Sequence, residues 1–531
     1  MRITNNMMIR NTSSNINGNK VNVNNLNNQM SSQKKIQRPS EDPVIAIRAL
    51  RLRSTLSEID QYYENNIPDA ESWLEITDTA LKNMKTIVTD IRTQCVYGSN
   101  DSLTASDRNT ILTSLEKLRD QVYSEGNADY AGRTVFTGYR TNQKLTFMED
   151  DKKTSYNITQ TLGYGDIGEY RYYSDEVTLP TTAAEVLGNT IANPEEATFD
   201  RIRLSYGEID SITGKDAAGD PVTADGTAGK KQALIGYTNA DGTAGDLEVT
   251  VYDRLKDWAA ANGNEYAINE DKDGDGAPDT MKAVFIKETG EMILGANASS
   301  QLRSGKASLD LNYTKTGFDK GELRPEYYYN CTDITDPVNP VEFIKYENGK
   351  EVYQDIEYLV AANQTLTVNT MASDVFDAAL GRDVDEMIEA VRFAQAANEK
   401  VEQIEKMQKM QEYSSEECQA ALEDWLAAAK KERDYADDNM QKLYNSYIGN
   451  CDQYLEDINL AKTDVGSKGA SLDLTKNRMS NQQTTIETLK STNEDRDLSE
   501  IIIDYTAAYT AYQASLQAAS KINQNTLLNF I

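Results

Sequence analysis

The chain contains no histidine among its 531 residues. That absence removes the usual zinc ligand, the usual general base and the usual nucleophilic triad together. A metallopeptidase insert, which needs HExxH, is excluded. Carboxylate, lysine or cysteine chemistry would remain, but no clustered nucleophile and base is visible. We therefore expect no enzyme and no catalytic residue. Cysteine is also scarce. Cys95, Cys331, Cys418 and Cys451 lie far apart with no CxxC, so neither a metal knuckle nor a dense disulfide framework is implied. All four read as buried or idle thiols. No run of about 18 apolar residues occurs, so nothing is expected to span a membrane. The N-terminus, MRITNNMMIRNTSSNINGNK, lacks the apolar region of a secretory signal, so export would proceed without a cleaved signal.

Proline is absent from two long stretches, 69–179 and 341–531, and seven of the ten prolines fall between Pro180 and Pro340. Proline breaks helix interiors, so the two free stretches can be long helices and the middle must be something else. Positive charge is in deficit. Lys and Arg number 54 against 85 Asp and Glu, a net charge of −31, which argues against nucleic-acid and anionic-membrane partners. Yet residues 1–53 hold nine Lys/Arg with only Glu41 and Asp42 opposing them. Such an asymmetry is either a solvated face or a basic segment that packs on acidic surface, within the chain or on neighbours. At 39% hydrophobic residues and a mean hydropathy of −0.63, the chain suits an elongated, multi-part protein of about three or four units.

What is present is helical periodicity at both ends. Residues 1–37 are asparagine-rich, a composition that reads as disordered alone. Ile9, Ile16, Val23 and Met30 nevertheless recur every seven residues, with Leu26 in the complementary slot, which predicts a helix once packed. Asp42 followed by Pro43 is a helix start: a capping side chain, then a residue whose missing N–H costs nothing there. From it a 4-3 rhythm runs through Leu52, Leu56, Ile59, Tyr63, Asn66, Ala70, Trp73, Thr77, Ala80, Met84, Ile87 and Ile91, predicting a helix to about Val96 with a kink or break at Pro68. Gly98 suggests a C-cap. Thr104 with Asp107 forms a capping-box pattern that opens a helix through Ile111, Leu115, Leu118 and Val122, ended by Gly126. AGRTVFTGY (131–139) reads as a turn and a strand. YNITQTL, EYRYYSDEVTL, DLEVTVYD, KAVFIKE and QTLTVNT read as strands, and two near-copies of ADGTAG (224–229, 240–245) as recurrent turns. Helical spacing returns through Met387, Val391, Val401 and Ile404. It ends on Leu498, Ile502, Tyr505, Tyr509, Tyr512, Leu516 and Ala519, with Ile522 and LLNFI beyond. The expected fold class is α+β: a long coiled-coil bundle formed by paired N- and C-terminal segments, with a β-rich central insertion. The expected divisions are 1–133, helical; 134–373, β-rich with an insertion at about 190–325; and 374–531, helical and paired with the first.

At RPSEDPVIAIRALRLRSTLS (38–57) the sequence resembles a known family. With the MRIT start, NIPDAESWLEITDTAL (66–81), TQCVYGSNDSLTASDR (93–108), GRTVFTG (132–138), LDLTKNRM (472–479) and LQAASKINQNTLLNFI (516–531), it is similar to the flagellin superfamily, specifically the flagellar hook-associated protein 3 family of hook–filament junction proteins. Flagellins resemble both ends too, but usually carry a RAADDAAGLAI-like stretch where this chain has RPSEDPVIAIR. The resemblance covers about 220 residues. It departs from the family in a longer middle around 190–325, an extra helical stretch at 395–460, and the four cysteines. It implies a structural flagellar subunit, exported unfolded through the type III apparatus with the help of a chaperone. Such a subunit is extracellular and sits in a ring of its own copies, between the first hook-associated protein (hook-associated protein 1) and flagellin. A divergent flagellin, or a junction protein with a calcium-stabilised adhesive domain, are the alternatives. Ile9, Ile16, Val23, Met30, Arg38, Asp42, Pro43, Leu498, Ile502, Tyr505, Tyr509, Tyr512 and Leu516 are the expected subunit-packing residues. The basic 1–53 segment would meet acidic residues of adjacent subunits, such as Glu487, Glu494 and Asp495.

One stretch carries possible metal chemistry. DKDGDGAPD (271–279) sets Asp271, Asp273 and Asp275 at alternate positions before Gly276, with Asp279 at position nine, the pattern of a calcium loop. Lys282 stands at the twelfth position, where a bidentate glutamate is usual. A solvated acidic turn is the other reading, and no other cofactor is expected.

Overall fold

The computed structural model describes residues 5–100, 105–263, 265–271, 280–347 and 349–524. Its α-helices are α1 (Asn5–Ser32), α2 (Pro43–Asp60), α3 (Ile67–Gly98), α4 (Ala105–Gly126), α5 (Ala183–Gly188), α6 (Leu255–Ala261), α7 (Ala296–Ser304), α8 (Ala378–Met407), α9 (Glu416–Glu494) and α10 (Leu498–Gln524). Strands fall between Asp129 and Thr367, so the α+β class with helical ends and a β-rich middle is the one adopted. The chain forms two compact units: 1–71 with 357–367 and 468–531, and 72–356 with 368–467.

In the first unit the two chain ends pair: α1 runs with α10, and α2 with the last turns of α9. Asp42 caps α2 as its sequence suggests, accepting from the N–H groups of Val44 (2.9 Å) and Ile45 (3.1 Å), with Pro43 in the first turn. The break expected at Pro68 takes a specific form. Proline lacks the N–H and crowds the carbonyl four residues back. The chain widens just upstream into a π-helical turn, Gln61–Asn66, where the Ile67 N–H reaches back to Tyr62 O. Asn66, the polar slot of the seam, donates to Leu359 O at 2.8 Å. It thereby ties the helix to a hairpin of Glu357–Ala361 with Gln364–Thr367. Lys476 to Glu71 (2.7 Å) and Gln483 to Asp60 (2.8 Å) hold α9 antiparallel to the helical path opposite.

In the second unit the seam is buried. Trp73, Thr77, Ala80, Met84, Ile87 and Ile91 are all buried, as are Ile111, Leu115, Leu118 and Val122 of α4 and Met387, Val391, Val401 and Ile404 of α8. Thr104 lies outside the described residues. Gly98 closes α3, but not as a left-handed cap: its backbone is not in that region, and a Cβ there would overlap the Tyr444 ring. The glycine is a close approach between helices.

A twelve-stranded sheet fills the middle. From one edge it runs Val341–Phe343, Asn330–Asp333, Asp151–Gly163, Ser308–Phe318, Ser211–Lys215, Gln232–Thr238, Ala244–Tyr252, Lys282–Ile286, Glu291–Leu294, Glu195–Arg203 and Ile167–Ser174, with Pro221–Ala224 beside Ser211–Lys215. All neighbours are antiparallel except Ala244–Tyr252 with Lys282–Ile286, whose crossover carries α6. Lys282–Ile286 is apolar on both faces. Ala283 and Phe285 join a core with Leu311 and Tyr313, and Val284 and Ile286 one with Tyr172 and Trp258. AGRTVFTGY forms less strand than expected: only Arg133–Thr134 pairs, with Asp129–Tyr130, and the rest is turn with Val135 and Phe136 buried. The ADGTAG copies are the same turn twice. Asp225 accepts from Thr227 N (2.9 Å) and Asp241 from Thr243 N (2.9 Å), each followed or preceded closely by a glycine at positive φ.

Candidate subunit-packing surface

The ends of four helices meet at one place in the first unit. After α1, Gln33 turns left-handed (φ 55°) and ends the helix, its N–H bonded to Gln29 O at 2.7 Å. The chain then runs antiparallel against the break between α9 and α10. Lys35 N donates to Glu494 O (2.7 Å), and Arg496 N to Gln33 O (3.0 Å). Side chains complete the lock. Arg53 donates to both oxygens of Glu494, at 2.8 and 2.6 Å; Lys34 pairs with Asp495 and lies 3.6 Å from Glu494. Arg496 donates to Gln29 Oε1 (2.8 Å) and pairs with Asp504. The bond from Arg53, helped by its charge and that of Lys34, holds the Glu494 carboxyl below its ordinary range. The bond from Lys34 does the same to Asp495. The sequence left open whether the basic segment meets acidic residues of its own chain or of a neighbouring subunit; here Lys34 and Arg53 pair with Asp495 and Glu494 of the same chain. The reason is topological: the reversal after α1 lays Lys34 on the break after α9. Glu487 is exposed.

Around this lock, the helices bury very little. Among the described side chains, α1 buries Leu26 alone and α10 Ile501 alone. On α1, Ile16, Val23 and Met30 are half-buried and Ile9 is exposed. On α10, Tyr505 and Tyr512 are half-buried and lie on the face of Ile501, whereas Leu498, Ile502, Tyr509 and Leu516 are exposed. The intrachain seam of α10 therefore runs through 501, 505, 508, 512, 515 and 519, one residue out of step with most of the expected stripe. That leaves a second apolar stripe uncovered, with Ile503 (68% exposed) beside it, and Val44, Ile47 and Leu50 (65%) similarly uncovered on α2. Arg38 is exposed in the turn before Asp42. Helices this poorly buried gain little from their own chain, and most helical stability comes from packing an apolar face.

A second set of charges is gathered away from this place. In the second unit, Arg201 and Arg203 pair with Glu291, Glu386 and Asp383, with Tyr172, Tyr447, Tyr454 and Asn450 completing the carboxylates' hydrogen bonds. Burial raises Glu386, but the two arginines outweigh it and hold the carboxyl down at about 2. A cavity of about 780 Å³ opens beside this cluster, and among the charged residues lining it Arg119 pairs with Asp385 and Arg392 with Glu116. In the acidic loop, Asp273, Asp275 and Asp279 lie outside the described residues. Asp271 is described, its N–H bonded to Asn269 Oδ1 at 3.0 Å, and Lys282 donates to Asn269 O at 2.7 Å. The loop's base is closed by Thr280 N to Glu270 O, 3.1 Å. No group of three or more potential ligands occurs among the described residues, nor does any described helix have the length and apolarity to cross a membrane.

Residues 3–141 match the bacterial flagellin N-terminal helical region, and residues 448–531 the bacterial flagellin C-terminal helical region. The two ends of the chain are thus similar to the helical ends of flagellins. Within that class, the resemblance to flagellar hook-associated protein 3 is upheld. The protein of that name from Salmonella typhimurium is 30% identical over 142 residues, 27% of this chain and 44% of its own length. That from Escherichia coli is 31% identical over 126 residues, 24% of this chain and 39% of its own. The chain aligns with less than half the length of these relatives. The solved flagellar junction protein of Legionella pneumophila is 12% identical, matched over 85% of this chain and 100% of its own, with a TM-score of 0.29, a loose superposition.

Proposed function

We propose that this chain is a structural subunit of the bacterial flagellum, joining the hook to the flagellin filament. The observation that carries the reading is the terminal pair: flagellin-type ends in which α1 and α10 each bury one described side chain and leave an apolar stripe open. A helix pair of this kind stabilises when similar helices stand on either side of it. Copies of the chain in a ring supply those neighbours, with hook-associated protein 1 below and flagellin above. Arg38 and the rigid start at Asp42 and Pro43 lie on the same unit and serve as contact points between subunits. A pair so weakly buried is easily unfolded, which suits passage through the type III export apparatus with a chaperone covering the ends. The role is architectural and needs no catalysis.

A second reading, a divergent flagellin, is favoured by the matched regions being those of flagellin itself. Deleting the gene separates the two. Bare hooks under the electron microscope, with flagellin released into the medium, are expected of a junction subunit. Normal filaments would sink the junction reading and favour a minor filament subunit.

A further inference from the structure

Cys95 on α3 and Cys451 on α9 are both buried at the seam between these two helices, inside the second unit. The two helices are antiparallel here, pinned by Arg92 to Asp452 (2.7 Å) and Lys85 to Asn459 (2.8 Å). They approach closely, since the site of a Gly98 Cβ is occupied by the Tyr444 ring. Between these marks both sulfurs are buried, and Cys451 is the neighbour that bears most strongly on the Cys95 thiol. Cys95 Sγ also touches Met387 Sδ at 3.3 Å. The other two cysteines sit apart from this pair. Cys331 lies in the sheet core, and Cys418 in a cluster with Trp425 and Tyr413.

We propose that Cys95 and Cys451 join in a disulfide that cross-links α3 to α9 when the chain folds in an oxidising environment. The oxidant is a small-molecule disulfide. The two S–H bonds and the oxidant's S–S bond break, one new S–S bond forms, and two protons and two electrons pass to the oxidant, which leaves as two thiols. The neighbouring Cys451 sulfur, followed by burial, pushes the Cys95 thiol up, so the thiolate is scarce once the unit has closed. Exchange therefore takes place as the α3–α9 seam assembles. The bond closes a loop containing the whole sheet, so it constrains the unfolded chain strongly.

The test starts from the full chain, reduced and denatured, and refolds it with oxidised glutathione. Remaining thiols are then alkylated in denaturant. The expected result is two alkylated cysteines, a peptide pair linking Cys95 to Cys451, and a melting temperature about 5 °C above that of the reduced protein. Four alkylated thiols, or links that involve Cys331 or Cys418, would overturn the proposal. Because Cys451→Ser alters the buried seam itself, the Cys331→Ser/Cys418→Ser double variant provides the second reading. It must keep the link, and its loss there also overturns the assignment.

Discussion

Arg53 of α2 holds Glu494, the last residue of α9, through two hydrogen bonds of 2.8 and 2.6 Å. Glu494 is 4% exposed. Its backbone carbonyl also receives Lys35 N. One residue thus fixes the end of α9, the start of α10 and the connection from α1 to α2. Glu494→Ala should loosen this point. We expect faster hydrogen exchange at Lys35 and Arg496, equivalent to a local loss of about 1–2 kcal/mol, with the sheet amides unchanged.

Acid should open the same place. Glu494 and Asp495 are both held below the ordinary carboxylate range by Arg53 and Lys34. A carboxylate depressed on folding stabilises the fold above its unfolded pKa, and that contribution disappears as pH falls through the folded value. Protection at the α1–α10 end should therefore decline below about pH 4. Exchange rates followed across the titration would show it, and a pH-independent end would contradict the pairing.

Glu386 gives the second unit its own acid response. Its pKa of about 2 against an ordinary 4.5 makes the contribution complete above pH 4.5 and progressively lost down to about pH 2. Glu386→Gln should lower the denaturation midpoint at pH 7 and flatten its pH dependence in this interval, because Arg201 and Arg203 keep their burial but lose a counter-charge.

The exposed stripe of α10 predicts a separation of stability from assembly. Ile502→Ser with Leu516→Ser should leave the melting temperature of the isolated chain nearly unchanged, within about 0.5 kcal/mol. Cells carrying the pair should nonetheless assemble filaments poorly, if the stripe is a subunit contact. Ile501→Ser is the converse control, since Ile501 is buried in the chain itself.

Gly98→Ala tests the closeness of α3 to α9. The added methyl meets the Tyr444 ring, so the variant should lose about 1–3 kcal/mol in denaturant unfolding. A neutral effect would mean that the ring moves aside freely.

Local chemistry made much of this architecture legible from sequence. Asp42 and Pro43 start a helix because one caps N–H groups and the other fixes φ, whatever surrounds them. The apolar rhythm from Leu56 to Ile91 forms a buried face because a helix repeats every 3.6 residues. The two ADGTAG turns form because aspartate closes on the threonine two residues later. The likeness to flagellin ends came instead from the resemblance of the terminal motifs to a known family. What periodicity leaves open is which of two adjacent apolar stripes meets the partner. On α10 both 498–502–509–516 and 501–505–508–512 satisfy the spacing, and α1 selects the second. Nor does periodicity reveal that Gly98 is needed for Tyr444, that Asn66 ties a hairpin nearly three hundred residues away, or that Lys34 reaches Asp495 of its own chain. Those outcomes depend on excluded volume and charge between distant segments. They exist only once the fold has brought those segments within a few ångströms.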